Sequence, residues 1–133
     1  MIEARRRMLS AALSELARPA AIWMIGAAQA AVPSDLAELL SLQPRLSLRE
    51  GAQKDADPLL PAGRYPVYGM SLAQEPAARG NRFVGFPTGF SLDAFVDELL
   101  ALTRGASLSS PLARETLRRL QGRVRVRVYT SPG

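Results

Sequence analysis

The sequence predicts an α/β domain in which a central mixed sheet is flanked by helices. Three observations carry this reading. Ala20-Ala21-Ile22-Trp23-Met24-Ile25 is a short, unbroken apolar run, which suits a central strand covered on both faces. Other short segments alternate polar and apolar residues, the period of a half-buried strand. Between them, leucines recur at three- and four-residue steps, the period of an amphipathic helix. At 133 residues, with 47% hydrophobic and 22% charged residues, one domain with a core of its own is expected.

The elements follow in order. Leu9, Leu13 and Leu16, with Met8 and Ala12 beside them, give residues 3 to 17 one apolar helical face. Arg18-Pro19 stops that helix, because the residue before proline is pushed out of the α region. The apolar run follows and ends at Gly26. Ser34 reads as the N-cap of a second helix, with Asp35 in the first turn and Leu36, Leu39 and Leu40 inward. Pro44 closes it. Arg45 to Glu50 alternates, so it reads as a strand, and residues 51 to 64 as a loop rich in proline and glycine. Tyr65 to Leu72 is a strand with Pro66 near its start, where proline is tolerated. A turn over Ala73 to Gly80 leads to a strand at Arg82 to Phe86, making an antiparallel hairpin. Gly89 and Ser91 open a third helix with Leu92, Phe95, Val96, Leu99 and Leu100 inward, ending at Gly105. Ser110-Pro111 supplies an N-cap and a first-turn proline for a fourth helix through Leu117 and Leu120. Arg123 to Thr130 closes the series as a strictly alternating strand.

Missing residue types exclude whole classes of chemistry. The sequence holds no cysteine and no histidine. That removes disulfides, thiolate catalysis, imidazole acid–base catalysis and the commonest metal ligands. The 12 acidic residues are scattered, with no pair in an apolar frame to drive two pKa values apart. Asp55 and Asp57 lack the remaining ligands of a calcium loop and read as solvated. No apolar run approaches the roughly 18 residues needed to cross a bilayer. Ser10, Ser14, Glu15 and Arg18 interrupt any signal peptide. A cytoplasmic chain that is not itself an enzyme, with no cofactor, is expected. Its net charge of +5 rests on arginine, Lys54 being the only lysine, which a GC-rich genome explains without a nucleic-acid partner.

Two strand–helix steps, an antiparallel hairpin and a covering helix form the thioredoxin arrangement, here with an extra helix in front. The chain resembles the N-terminal region of the alkyl hydroperoxide reductase flavoprotein subunit, and the protein disulfide oxidoreductases similar to it. Leu16-Ala17-Arg18-Pro19, Tyr65-Pro66 and Gly80-Asn81-Arg82-Phe83-Val84-Gly85-Phe86-Pro87-Thr88-Gly89 carry the resemblance, with Leu99-Leu100 and Val128-Tyr129-Thr130-Ser131. The segment from Arg82 to Gly89 is the most specific part. The resemblance implies a cis Tyr65–Pro66 bond and two such folds in tandem, of which this chain is the first.

Two departures shape the functional expectation. Where an active fold of this kind has Cys-x-x-Cys, the sequence reads Gly26-Ala27-Ala28-Gln29-Ala30-Ala31. In the reductase family the first fold has likewise lost its cysteines. The chain also ends at Gly133, where the second fold's dithiol would be due. Residues 1–122 are therefore expected to form a redox-inactive domain, and 123–133 the first strand of a missing second fold or a tail, the chain being a fragment or a natural truncation.

The resemblance thus implies a scaffold or docking domain of a disulfide or peroxide reductase system, with a peroxiredoxin or a flavoprotein reductase as partner. Tyr65, Pro66 and Gly85 are the candidate peptide groove, though all three also serve backbone geometry. A stand-alone, chaperone-like module that holds extended peptides beside Pro66 is the second reading. Nucleic acid is disfavoured: Arg123, Arg125 and Arg127 line one face of the last strand with no aromatic platform among them. The exposed valines of that strand make it a template for pairing with its own or a second copy's sheet edge, and hence for a homodimer.

Overall fold

The computed structural model describes residues 1–26, 30–52, 66–106, 110–122, 126 and 128. Its elements are α1 (Glu3–Leu13), β1 (Ala20–Ile25), α2 (Ser34–Leu42), β2 (Leu46–Gly51), β3 (Val67–Leu72), β4 (Arg79–Val84), α3 (Phe90–Arg104) and α4 (Pro111–Arg118). The four strands form one sheet in the order β2-β1-β3-β4. β1 runs parallel to β2, with Ala20 opposite Leu46 and Ile25 opposite Gly51. β3 runs antiparallel to β1, and β4 antiparallel to β3. The mixed sheet is the one the sequence predicts, and every residue of β1 is buried.

Alternation along the strands divides the core in two. Ile22 and Met24 of β1, with Tyr68 and Met70 of β3, face α1, α2 and α3. These helices contribute Leu9 and Leu13, Leu36 and Leu39, and Leu92, Phe95, Val96 and Leu99. Ala21, Trp23, Ile25 and Val67 form a smaller cluster on the opposite face, with Ala78 against it. There the Trp23 indole N–H donates to Ser71 Oγ at 2.8 Å, and the Ser71 hydroxyl donates to the Leu72 carbonyl at 2.8 Å. The Arg49 guanidinium lies 5.5 Å from the centre of the Trp23 ring, a cation–π distance. A Cβ on Gly69 would stand 2.8 Å from Ala78 Cβ, so this strand position requires the absence of a side chain.

The extra N-terminal helix is fastened at both ends. Arg5 meets Asp93 of α3 at 2.8 Å and 3.2 Å through two nitrogens, and donates to the Gly89 carbonyl at 2.8 Å. At the other end Gln43 Nε2 donates to the Leu13 carbonyl at 2.9 Å, and Arg45 Nη1 to the Leu16 carbonyl at 2.8 Å. These side chains tie the end of α1 and the turn that follows it to the segment leading into β2.

Several expectations need correction. α1 stops at Leu13 rather than residue 17, its last turn tightening through bonds such as Glu15 N–H to the Ala12 carbonyl at 3.1 Å. Met8 is exposed; the buried stripe is Leu9, Leu13 and Leu16. Ser34 is the first residue of α2 rather than its cap: Pro33 holds that position, with no side-chain bond. β4 begins at Arg79 and stops before Gly85, and its register with β3 shifts between Tyr68 and Met70. Ser110 does cap α4, accepting from Ala113 N–H at 3.1 Å, with Pro111 in the first turn. Of the loop expected at residues 51–64, Gly51 instead ends β2 and residues 53–64 lie outside the described residues, as does nearly all of the expected last strand. Among the described residues no helix is long and apolar enough to cross a membrane.

Candidate functional site

One end of the sheet gathers the predicted site. β1 and β4 end there, β3 begins there, and the parallel β1–α2–β2 unit brings the start of α2 to the same end. Of the three candidate groove residues, the structure brings Pro66 and Gly85 together. The Gly85 N–H donates to the Pro66 carbonyl at 3.0 Å, one step beyond the Val67–Val84 pair that closes the hairpin. Gly85 takes φ +75°, a conformation that a side chain disfavours. Open space surrounds the position a Cβ would occupy, so glycine is needed there for backbone conformation alone. Tyr65, its bond to Pro66, and Ala27-Ala28-Gln29 lie outside the described residues.

This end carries two exposed apolar residues and, in the core on the helix side, an aromatic cluster. Val84 is 52% exposed and Phe90, the first residue of α3, is 87% exposed. On the helix-bearing face of the sheet Phe86 meets Tyr68 edge-on at 5.3 Å and Phe95 at 5.5 Å, and Phe83 meets Phe95 at 5.1 Å. Such T-shaped pairs hold the loop after β4 against the core. The Tyr68 hydroxyl is buried there without a hydrogen-bond partner among the described residues. Burial pushes its pKa above the ordinary tyrosine value, because it disfavours the phenolate. Sequence reasoning missed both Tyr68 and Phe90. Alternation could have placed Tyr68 inward beside Met70, whereas no local signal exposes a phenylalanine at a helix start.

The groups at this end can bind by shape, apolar contact and backbone hydrogen bonds. A polar anchor lies close by, since Arg5 holds the Gly89 carbonyl and the first turn of α3. Among the described residues no cluster of three or more acidic side chains is placed to hold a metal ion.

Neither a protein-family model nor a curated protein sequence matches the chain. Solved structures do. A protein disulfide oxidoreductase from Aeropyrum pernix superposes with a TM-score of 0.60 at 20% identity, over 92% of this chain and 56% of that one. An Enterococcus faecalis alkylhydroperoxide reductase component, AhpF, gives a TM-score of 0.64 at 17% identity, over 91% of this chain and 61% of that one. The fold is thioredoxin-like. This chain spans about three-fifths of the length of these thioredoxin-like neighbours. At such identities the likeness concerns the fold, which is the one expected from the order of elements and the segment from Arg82 to Gly89.

Proposed function

We propose that this thioredoxin-like domain is a redox-inactive scaffold, a docking surface for a dithiol-bearing partner in a disulfide or peroxide reductase system. The observation that carries the reading is the pairing of the joined Pro66–Gly85 strand ends with a sequence that contains no cysteine. Pro66 and Gly85 are joined, Val84 and Phe90 are exposed, and no thiol is present to exchange electrons. The two structural neighbours, a protein disulfide oxidoreductase and an alkylhydroperoxide reductase component, support that chemical setting. A peroxiredoxin or a flavoprotein reductase of the cytoplasm is the partner this reading assigns. The domain contributes recognition, and the partner contributes the dithiol.

The test has two arms. The pure chain should show no disulfide reduction with insulin and dithiothreitol above a heat-killed control. Titration with a peroxiredoxin and its flavoprotein reductase should shift amide resonances around Gly85 and Phe90. Turnover by the chain alone would overturn the scaffold reading. Shifts with unrelated unfolded peptides, and none with the redox proteins, would favour the second reading, a stand-alone module that holds extended segments beside Pro66 by strand-type bonding.

A further inference from the structure

α4 is a well-specified helix that buries nothing. Ser110 caps it, Pro111 begins it, and Glu115 meets Arg118 and Arg119 at 3.6 Å. All of its residues are exposed. Leu112 is 77%, Leu117 56% and Leu120 50% exposed, and the Leu120 N–H continues the turn to the Leu117 carbonyl at 3.1 Å. At 3.6 residues per turn these leucines fall within an arc of about 140°, flanked by Arg114 on one side and Arg119 on the other. A helix this short is marginal in water without tertiary packing. Among the described residues nothing covers its apolar arc.

A complementary surface lies on the same molecule. A cleft of about 530 Å³ between α1 and α3 is floored by Ala12, Leu100 and Ala101, with Asp97 on its rim. A second cleft, of about 300 Å³, lies against β4 and shares Ala101; Glu98 is among its lining residues. Among the described residues neither Asp97 nor Glu98 has an ion-pair partner, and neither has Arg114. Ala12 and Ala101 on the floor leave room for leucine, and α3 carboxylates without an ion-pair partner among the described residues match the arginines that flank the leucine arc.

We propose that α4 of one copy seats its leucine face in the α1–α3 cleft of a second copy, with Arg114 meeting Asp97. Each copy then gives a helix and receives one, so the contact is reciprocal and closes as a two-fold dimer. Every contact occurs twice. A dimer also accounts for a helix that the other described residues leave uncovered.

Light scattering and sedimentation on the full chain over a concentration series test this. A monomer–dimer equilibrium is expected. Leu117→Asp should raise its dissociation constant at least tenfold and leave the circular dichroism spectrum and melting of the monomer unchanged, since Leu117 is exposed there. Asp97→Arg and Arg114→Asp should each weaken the dimer, and the double exchange should restore it. Val126→Pro, which blocks strand pairing by the tail, should leave the dimer intact. A chain still monomeric at about 1 mM, a dimer indifferent to Leu117→Asp, or one lost in Val126→Pro would overturn the proposal.

Discussion

The indole N–H of Trp23 donates to the hydroxyl of Ser71 at 2.8 Å across two antiparallel strands, on the sheet face away from the three packed helices. Both residues are buried. Ser71→Ala leaves a buried donor without its acceptor, a desolvation cost of about 1–3 kcal/mol. Urea unfolding followed by the fluorescence of Trp23, the sole tryptophan, should show that loss. A midpoint equal to wild type would mean that water replaces the serine.

Gly69 and Ala78 form a close pair in which the order of substitution decides the result. Gly69→Ala places a methyl 2.8 Å from Ala78 Cβ, an overpacking that costs about 1–3 kcal/mol. Ala78→Gly removes the obstructing carbon, so the double variant should recover most of the loss. A double variant no better than Gly69→Ala would show that strand conformation, rather than the clash, sets the cost.

Gly85→Ala isolates backbone conformation, because nothing stands within 4 Å of the new methyl. Holding alanine at φ +75° should cost about 1–2 kcal/mol. The substitution should also loosen the bond from residue 85 to the Pro66 carbonyl, so faster amide exchange at that position accompanies the lost stability.

Tyr68→Phe removes a buried hydroxyl that has no partner among the described residues, and should stabilise the domain by about 1 kcal/mol. The same group gives a pH signature. Burial raises its pKa, so above the ordinary tyrosine value of 10.0 the unfolded chain releases the Tyr68 proton while the folded chain keeps it. Stability is then lost as pH rises from about 10 through the folded pKa. Wild type should lose more stability than Tyr68→Phe between about pH 9 and pH 11, as measured by urea titration.

Much of the fold is legible in the sequence because single local rules decide its elements. The unbroken apolar run of β1 reads as a doubly covered strand, and Ser110-Pro111 reads as a helix start. Ser34 misleads because serine before an apolar helix suggests a cap, yet Pro33 already holds the extended conformation, φ −58° and ψ 145°, that precedes the first turn. The start of β4 escapes a local reading because Arg79-Gly80-Asn81 has no apolar alternation, and pairing with β3 makes it a strand. At the candidate site, Pro66 and Gly85 are legible through the resemblance. The aromatic layer of Tyr68, Phe86 and Phe95 is not, since it joins residues far apart in the chain, and the exposure of Phe90 depends on what surrounds it.

The fastening of α1 sets an order of events during synthesis. Its end and the turn that follows are held by Gln43 and Arg45, and its first turn by Asp93 and Gly89. α1 is thus finished in two instalments, one when residue 45 has been made and the other only with the start of α3. Its leucine stripe shares a core with Leu36 and Leu39 of α2 and with Leu92 and Phe95 of α3. Closing such distant contacts late raises contact order and slows folding, which makes the opening helix of this chain one of the last parts to be secured.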